Sequence, residues 1–356
     1  MEGSDRERIR QWLLKTTGLQ AERLGPSRLE RAVMQRLGPS GCAGAQDYAQ
    51  RFLHDPTEQQ QLIETLVIGE SWFLREPRSF EQLQQLMRQQ RQRPLRVLSC
   101  GCSSGEEPYS AVMTLLEAGL PLAQLQVEAI DISAVALARA AEGLYGAHAL
   151  RSLERGRLQR HFQQEPSRKG SDGPGARHWR LRPEIRAAVR FHHGDLQRQL
   201  ILLPGPWHVV FCRNVMLYLE DQARLDLLMA IAARLEPQGM LVVAAAEAPM
   251  VPLDRFRGLP GGHGAAFAPV RPTPVEAPHP APPVLEPADH LAQARRLRQG
   301  GQPEEALAAL RRCLYLDPQQ HEALELAVDL AVQLGRHQEA ERQIRRLERV
   351  RQRRRP

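Results

Sequence analysis

Between Pro94 and Ser110 the chain reads PLRVLSCGCSSGEEPYS, and no other run limits the fold as much. Leu95–Leu98 has the unbroken apolar character of a short buried strand. Gly101 and Gly105 follow in a loop of small residues, and the spacing predicts a helix from about Pro108. Strand, glycine turn and helix together make the crevice in which nucleotide-type cofactors are held, because glycine lets the backbone come close to the ligand. The loop matches neither the dinucleotide G-x-G-x-x-G nor the phosphate-cradling G-x-x-x-x-G-K-[ST]. It has no lysine for phosphates and closes on two acids, Glu106 and Glu107. Phosphate is repelled there, whereas a sulfonium centre with a zwitterionic tail is not. The contrast points to S-adenosylmethionine (SAM), and so to methyl transfer.

A chain of 356 residues has room for two or three domains. No apolar run approaches the roughly 18–20 residues that span a bilayer. The opening MEGSDRERIRQW is too charged for a secretory signal. The five cysteines are odd in number and scattered, which fits a reduced, cytoplasmic protein. Two of them form Cys100-x-Cys102, without the second pair or histidines that a zinc site needs, so they read as small loop residues. The net charge of +7 is concentrated at the end: residues 341–356 hold eight arginines against two glutamates. Such a tail is either solvated or touches an acidic partner.

Residues 1 to about 75 carry apolar positions at helical spacing (Ile9, Trp12, Leu13; Leu29, Ala32, Val33; Leu62, Leu66), punctuated by Gly18, Gly25-Pro26 and Gly38-Pro39. From about 94 to 250, apolar strands (Leu95–Leu98, Gln126–Ile130, Val189–His192, His208–Phe211, Met240–Ala244) alternate with helices near Pro108–Glu117, Ala134–Glu142 and Asp221–Leu235. This is the pattern of an α/β fold with a mostly parallel sheet covered on both faces. The rhythm breaks between Gly143 and Ala188: Leu153–Gln163 reads as helix, Pro166–Ala176 as a polar loop and His178–Pro183 as a strand. Phe267–Val270 is expected to be the last, edge strand. Leu259–Pro287 contains nine prolines and reads as an extended spacer. Beyond it a 34-residue period aligns Gly301 with Gly335, Ala306 with Ala340 and Leu310 with Ile344. That resembles tetratricopeptide (TPR) repeats, the alternative being two unrelated helical hairpins. The expected domains are therefore 1–78 (helical), 79–271 (α/β, with an insertion at about 143–188), 272–287 (linker), 288–350 (repeats) and 351–356 (basic tail).

GCSSGEEPYS, ESWFLREP (Glu70–Pro77) and FCRNVMLYL (Phe211–Leu219) together resemble the CheR family, SAM-dependent methyltransferases that esterify glutamates on chemoreceptors. The resemblance covers roughly residues 5–270. It implies a Rossmann-like methyltransferase sheet, an N-terminal helical domain facing the receptor and a small β-subdomain at the insertion. It also implies S-adenosylhomocysteine as product, and the cytoplasmic helices of methyl-accepting chemoreceptors as partner. Neither nucleic acid nor membrane insertion is expected. The TPR part would tether a protein of unknown identity.

Methyl transfer to a carboxylate needs no general base, since glutamate is already ionised at neutral pH. Candidate site residues are accordingly binding residues. Asp131 closes the second strand, where an acid accepts both ribose hydroxyls or caps a helix. Glu106 accepts from the methionyl ammonium or compensates a helix N-terminus; the resemblance implies that both contact SAM. Ser71 and Arg75 offer a hydroxyl and a guanidinium to the cofactor's carboxylate or an acidic acceptor. Gly69 stands where the family has asparagine. Asp195 and Leu196 stand where it has an Asn-Leu pair at the adenine. Asn214 and Val215 follow the fourth strand, beside the transferred methyl. NVMLY lacks the two prolines of nitrogen-methylating [DN]-P-P-[YF] sites, which favours an oxygen acceptor. Arg213 is a candidate to attract the acceptor carboxylate, and Tyr218 is either a site residue or core. His192 and His193 receive no role, and Glu247 is a supporting candidate only. The rival reading from another class is a SAM-binding TPR scaffold with little or no catalysis. RNA methylation guided by the arginine tail is a weaker third.

Overall fold

The computed structural model describes residues 3–25, 27–89, 94–165, 177–261, 265–270 and 286–353. The chain divides into two compact units, Met1–Arg271 and Pro272–Pro356. The first begins with α1 (Gly3–Thr17), α2 (Arg28–Ser40), α3 (Ala45–His54) and α4 (Pro56–Leu66). Ile9, Leu13, Leu29, Val33, Tyr48, Phe52, Leu62 and Leu66 close over one another as their core. α4 starts cleanly: Asp55 accepts from the backbone N–H groups of Thr57 and Glu58, and Pro56 occupies the first turn, where its missing N–H costs nothing. Gly38-Pro39 does not end α2 as expected. Both lie in its last turn, and the helix stops at Gly41, which takes the left-handed conformation (φ +70°). Buried Glu58 receives both arms of Arg36 (2.9 and 2.9 Å) and the Tyr48 hydroxyl (2.9 Å).

A further helix, α5 (Arg78–Gln89), leads into the sheet region. There β1 (Leu95–Cys100), α6 (Glu106–Glu117), β2 (Leu125–Asp131) and α7 (Ala134–Glu142) form the first strand–helix units. The insertion follows as β3 (Leu144–Tyr145), α8 (Ala147–Leu150), α9 (Arg155–His161), β4 (Phe162–Glu165), β5 (His178–Leu181) and α10 (Pro183–Arg186). The main sheet resumes with β6 (Val189–His193), α11 (Leu196–Leu202), β7 (Trp207–Cys212), α12 (Asp221–Arg234), β8 (Leu235–Val242), β9 (Phe256–Gly258) and β10 (Ala266–Pro269).

Seven strands run in the order β6-β2-β1-β7-β8-β10-β9. β6, β2, β1, β7 and β8 are mutually parallel; β10 is antiparallel to both β8 and β9. The expected mostly parallel sheet is therefore present. Sequential order reverses between β1 and β7, the switch point at which open α/β sheets bind ligands beyond the strand C-termini. Val97, Val127, Val209 and Val242 pack under one face of the sheet; Leu98, Ile130, Val210 and Leu241 pack under the other.

Three expectations need correction. Phe267 is not on an edge strand, because β9 pairs outside β10. Helix α9 ends at His161, and Phe162–Glu165 turns into β4, where fully buried Phe162 is held by β5 and the aromatic core around it. The strand placed at Met240–Ala244 starts earlier, at Leu235. The polar loop Pro166–Ala176, the spacer from Arg271 to Leu285 and the tail from Arg354 lie outside the described residues.

The second unit consists of α13 (Pro287–Gln299), α14 (Pro303–Leu316), α15 (His321–Gln333) and α16 (His337–Arg353). Its core is built from Ala306, Leu307, Leu310, Leu314, Leu324 and Leu330, with Leu347 and Val350 from α16. Small residues at the crossings let consecutive helices approach closely.

Candidate cofactor and active site

Three loops meet beyond the C-terminal ends of β1, β2 and β7: residues 67–77, 101–105 and 213–220. The amides of Gly101 and Cys102 donate to the Ile130 carbonyl (2.9 and 3.0 Å), which fixes the glycine turn against β2. Only glycine fits at 101. Its φ is +76°, and a Cβ would lie 2.2 Å from Val215 Cγ2. Gly105 caps α6 with φ +90°; a Cβ there would lie 2.9 Å from both Ala140 and Tyr109. The second glycine thus sets helix packing, while the first keeps the crevice open.

Asp131 stands at the end of β2. One carboxylate oxygen accepts from Ser103 N (2.7 Å), the other from Ser133 N (2.8 Å). Desolvation pushes its carboxyl up, and those two amides work against the shift. Ser133 in turn donates to Glu64 of α4, so the helical region braces this acid from behind. Asp195 caps α11 by accepting from Arg198 N (3.1 Å).

Two cavities open here. The first is mainly apolar; it takes in Gly69, Gly101, Asp131, Asp195, Leu196, Asn214, Val215 and Tyr218, and Leu19 and Leu24 from the helical region close it. The second is polar and takes in Ser71, Arg75, Arg213, Glu70 and Glu107. Gly101, Ser103, Asn214 and Tyr218 line both. Every candidate residue except Glu106 and the supporting candidate Glu247 therefore borders one cavity or the other. Glu106 borders neither: it is buried, and both its oxygens accept from Ser104 Oγ (2.9 and 2.9 Å). Burial pushes its carboxyl up, partly offset by the Ser104 and Ser71 hydroxyls. Its neighbour Glu107 borders the second cavity instead, also pushed up by burial and held back by Arg213 and Ser99.

Arg213 is not a free cation awaiting a carboxylate. Its side chain is 2% exposed and lies between Glu107 (3.1 Å) and Glu76 (3.3 Å). One of its terminal nitrogens donates to the Arg75 carbonyl (2.6 Å). Arg75 lies over the Trp72 ring at 4.4 Å, and Arg151 lies over the same ring at 3.7 Å. Residues 71–76 are not helical, which is why helical spacing does not describe them. His192 is paired with buried Glu128 (2.7 Å), and His193 meets the Ile132 carbonyl (3.1 Å). Burial pushes the Cys100 and Cys102 thiols well up.

Sequence reasoning undervalued Glu247. It is wholly buried, and its carboxylate accepts from the amides of Asn214 (2.7 Å), Val215 (2.8 Å), Met216 (2.8 Å), Leu217 (3.4 Å) and Ala244 (3.1 Å). Burial raises its carboxyl, against those amides. This one side chain holds the turn that presents Asn214, whose φ of +59° is left-handed. The signal was available: an acid directly after the apolar run LVVAAA must be buried, and a buried acid needs partners.

Residues 69–259 match the family described as CheR methyltransferase, SAM binding domain. The chain belongs to the CheR methyltransferase family. It is 35% identical to the "Probable biofilm formation methyltransferase WspC" of Pseudomonas aeruginosa over 69% of this chain and 57% of that protein. With chemotaxis protein methyltransferase 2 of Vibrio cholerae the identity is 30%, over 67% of this chain and 84% of the relative. The Pseudomonas putida chemotaxis protein methyltransferase Cher2 is 32% identical over 68% of this chain and 90% of its own length. The chain spans 57% and 61% of the lengths of the two WspC relatives it matches. S-adenosylmethionine is the cofactor of this family's domain, and the residues present fit it. The apolar cavity offers Leu196 and Leu219 to an adenine and Asp131 to a diol; the polar one offers Ser71 and Arg75 to the charged tail. Gly101 borders both, and a Cβ there would collide with Val215, which lines the apolar one.

Proposed function

We propose that this chain transfers the methyl group of SAM to glutamate side-chain carboxylates of methyl-accepting chemoreceptors. The products are glutamate methyl esters and S-adenosylhomocysteine. One observation carries the reading: an apolar and a charged cavity share Gly101, Ser103, Asn214 and Tyr218, the shape needed by a cofactor with an aromatic end, a charged end and a reactive middle. When bound, SAM supplies an electrophilic methyl on a sulfonium. Asp131 holds the ribose hydroxyls; Asp195 and Leu196 border the adenine. Ser71 and Arg75 hold the carboxylate end, and Gly69 leaves room beside them. Asn214, Val215 and Tyr218 border the place of transfer and exclude water from it. No side chain has to remove a proton, because the acceptor is already a carboxylate. Positioning therefore supplies the acceleration.

Esterification removes a negative charge from the acceptor and lowers repulsion between packed receptor helices. We propose that the acceptor helices face the cytoplasm and that the reaction takes place there. No helix among the described residues is long and apolar enough to cross a membrane. The repeat unit at 288–350 is proposed to be TPR-like and to tether a protein partner. The test is tritium transfer from labelled SAM to receptor helices. Base-labile counts on the receptor support the proposal. Tight SAH binding with no labelled product on any receptor of the same cell selects the scaffold reading instead.

A further inference from the structure

The backbone around Arg75 is strained, and it is fastened from several sides. Among the described residues five non-glycine residues have a left-handed φ: Ser27, Leu74, Glu76, Ser103 and Asn214. Two of them, Leu74 (+54°) and Glu76 (+59°), flank Arg75. Side chains with a Cβ adopt this region only when their surroundings impose it, and such strain collects at functional sites.

The fastenings come from two directions. On one side, fully buried Phe73 donates its amide to the Ala149 carbonyl (2.9 Å) and meets the rings of Tyr145 (4.8 Å) and Phe162 (5.1 Å) edge-on, all within the insertion. The Leu74 amide donates to Ser110 Oγ (2.9 Å). On the other side, Arg213 donates to the Arg75 carbonyl (2.6 Å) while pairing with Glu76 and Glu107. Glu107 is fixed in turn by Ser99 Oγ (2.7 Å).

We infer that Arg213 and Glu107 are positioning residues, which hold the strained turn Leu74–Glu76 so that Arg75 faces the polar cavity. The inference rests on the methyl-transfer reading and deepens it. The alternative, that Arg213 draws in the acceptor carboxylate, fails on charge and geometry. Two carboxyl groups flank one guanidinium, which leaves it no surplus positive charge to draw in a third. Both terminal nitrogens are committed to them and to the Arg75 carbonyl, and the remaining Nε is buried without a partner. A planar fork that hydrogen-bonds a carbonyl and one carboxylate while pairing with a second is a task for arginine; lysine cannot span it.

A double-mutant cycle tests this. Ester formation on a purified receptor helical fragment is measured at saturating SAM, with the wild type first shown to bind SAH by calorimetry. Arg213→Lys is expected to slow ester formation about tenfold in the wild-type background and less than about twofold in the Arg75→Ala background, as coupled residues do. Losses that multiply would overturn the inference, since Arg213 would then act on the acceptor itself. If Arg213→Lys melts at assay temperature, Glu76→Gln decides, because its side chain is 37% exposed and the change is mild. A loss of about threefold that vanishes in Arg75→Ala supports the inference; equal losses in both backgrounds refute it. A wild type that neither binds SAH nor forms esters defeats the methyl-transfer reading itself, and the positioning role falls with it.

Discussion

The two units of this chain treat polar groups in opposite ways. In the first, Glu58, Glu106, Glu128, Arg213 and Glu247 are all buried, whereas among the described residues of the second no polar or charged residue is. The first holds all five left-handed non-glycine residues; the second holds none among those described. Charges in the second lie on its surface and pair across its elements, as Arg295 does with Glu322 and Arg311 with Glu339 between helices, and Arg336, from the turn before α16, with Glu304. Burying a charge is costly, so a fold does it where placement is worth more than stability. A helical stack with an apolar core and a polar exterior needs only complementary shape and a solvated outer face. The first unit is organised around a site, the second around packing.

The largest effect expected from breaking this contrast is at Glu247. Glu247→Ala leaves five amides without their acceptor, at about 1–3 kcal/mol for each that water cannot reach. Thermal unfolding should fall sharply and SAH binding should be lost; a variant with unchanged calorimetric affinity would show that the 213–220 turn holds itself. Leu310→Ala in the second unit should cost about 2–5 kcal/mol through its cavity. It should leave the rate of ester formation on receptor helices unchanged, which sharpens the contrast. Gly101→Ala drives a methyl into Val215 and should lower SAH affinity at least tenfold, about 1.4 kcal/mol, with a smaller change in melting temperature.

A pH experiment separates the buried charges. Burial works to raise the Glu58 carboxyl, but Arg36 and Tyr48 outweigh it and hold the group below its ordinary value. A depressed carboxylate contributes stability that is present above its unfolded pKa, roughly 4.3. That stability is lost as pH falls through the folded value. Urea midpoints should therefore drop for the wild type on acidification below about pH 4.5, and Glu58→Gln should flatten that drop. Smallest of all, Arg311→Gln in the second unit removes a surface pair and should shift the midpoint by less than about 1 kcal/mol. A larger loss would mean that the ion pairs between helices set the packing there.

Much of the site was legible along the chain, because its parts are local. An apolar tetrapeptide, two glycines and an acid at the end of the next strand mark the crevice before any contact is known. What was misread is non-local or context-bound. Gly38-Pro39 looked like a stop, yet proline breaks only the bond to the carbonyl four residues back, which the last turn of α2 can forgo. Phe267 looked like an edge because Phe256–Gly258 is too short to read as a strand. Arg213 looked like a substrate ligand because its partner Glu107 lies 106 residues away.

The sequence by itself determined the α/β alternation, the glycine turn and the methyltransferase family, since each depends on spacing within a few dozen residues. Only the tertiary structure decided which acids are solvent-facing and which are struts, because burial and pairing are properties of chain segments brought together from far apart. Glu247 and Arg213 took their parts at that stage: a charge removed from water must find partners, and the fold alone fixes which ones are within reach.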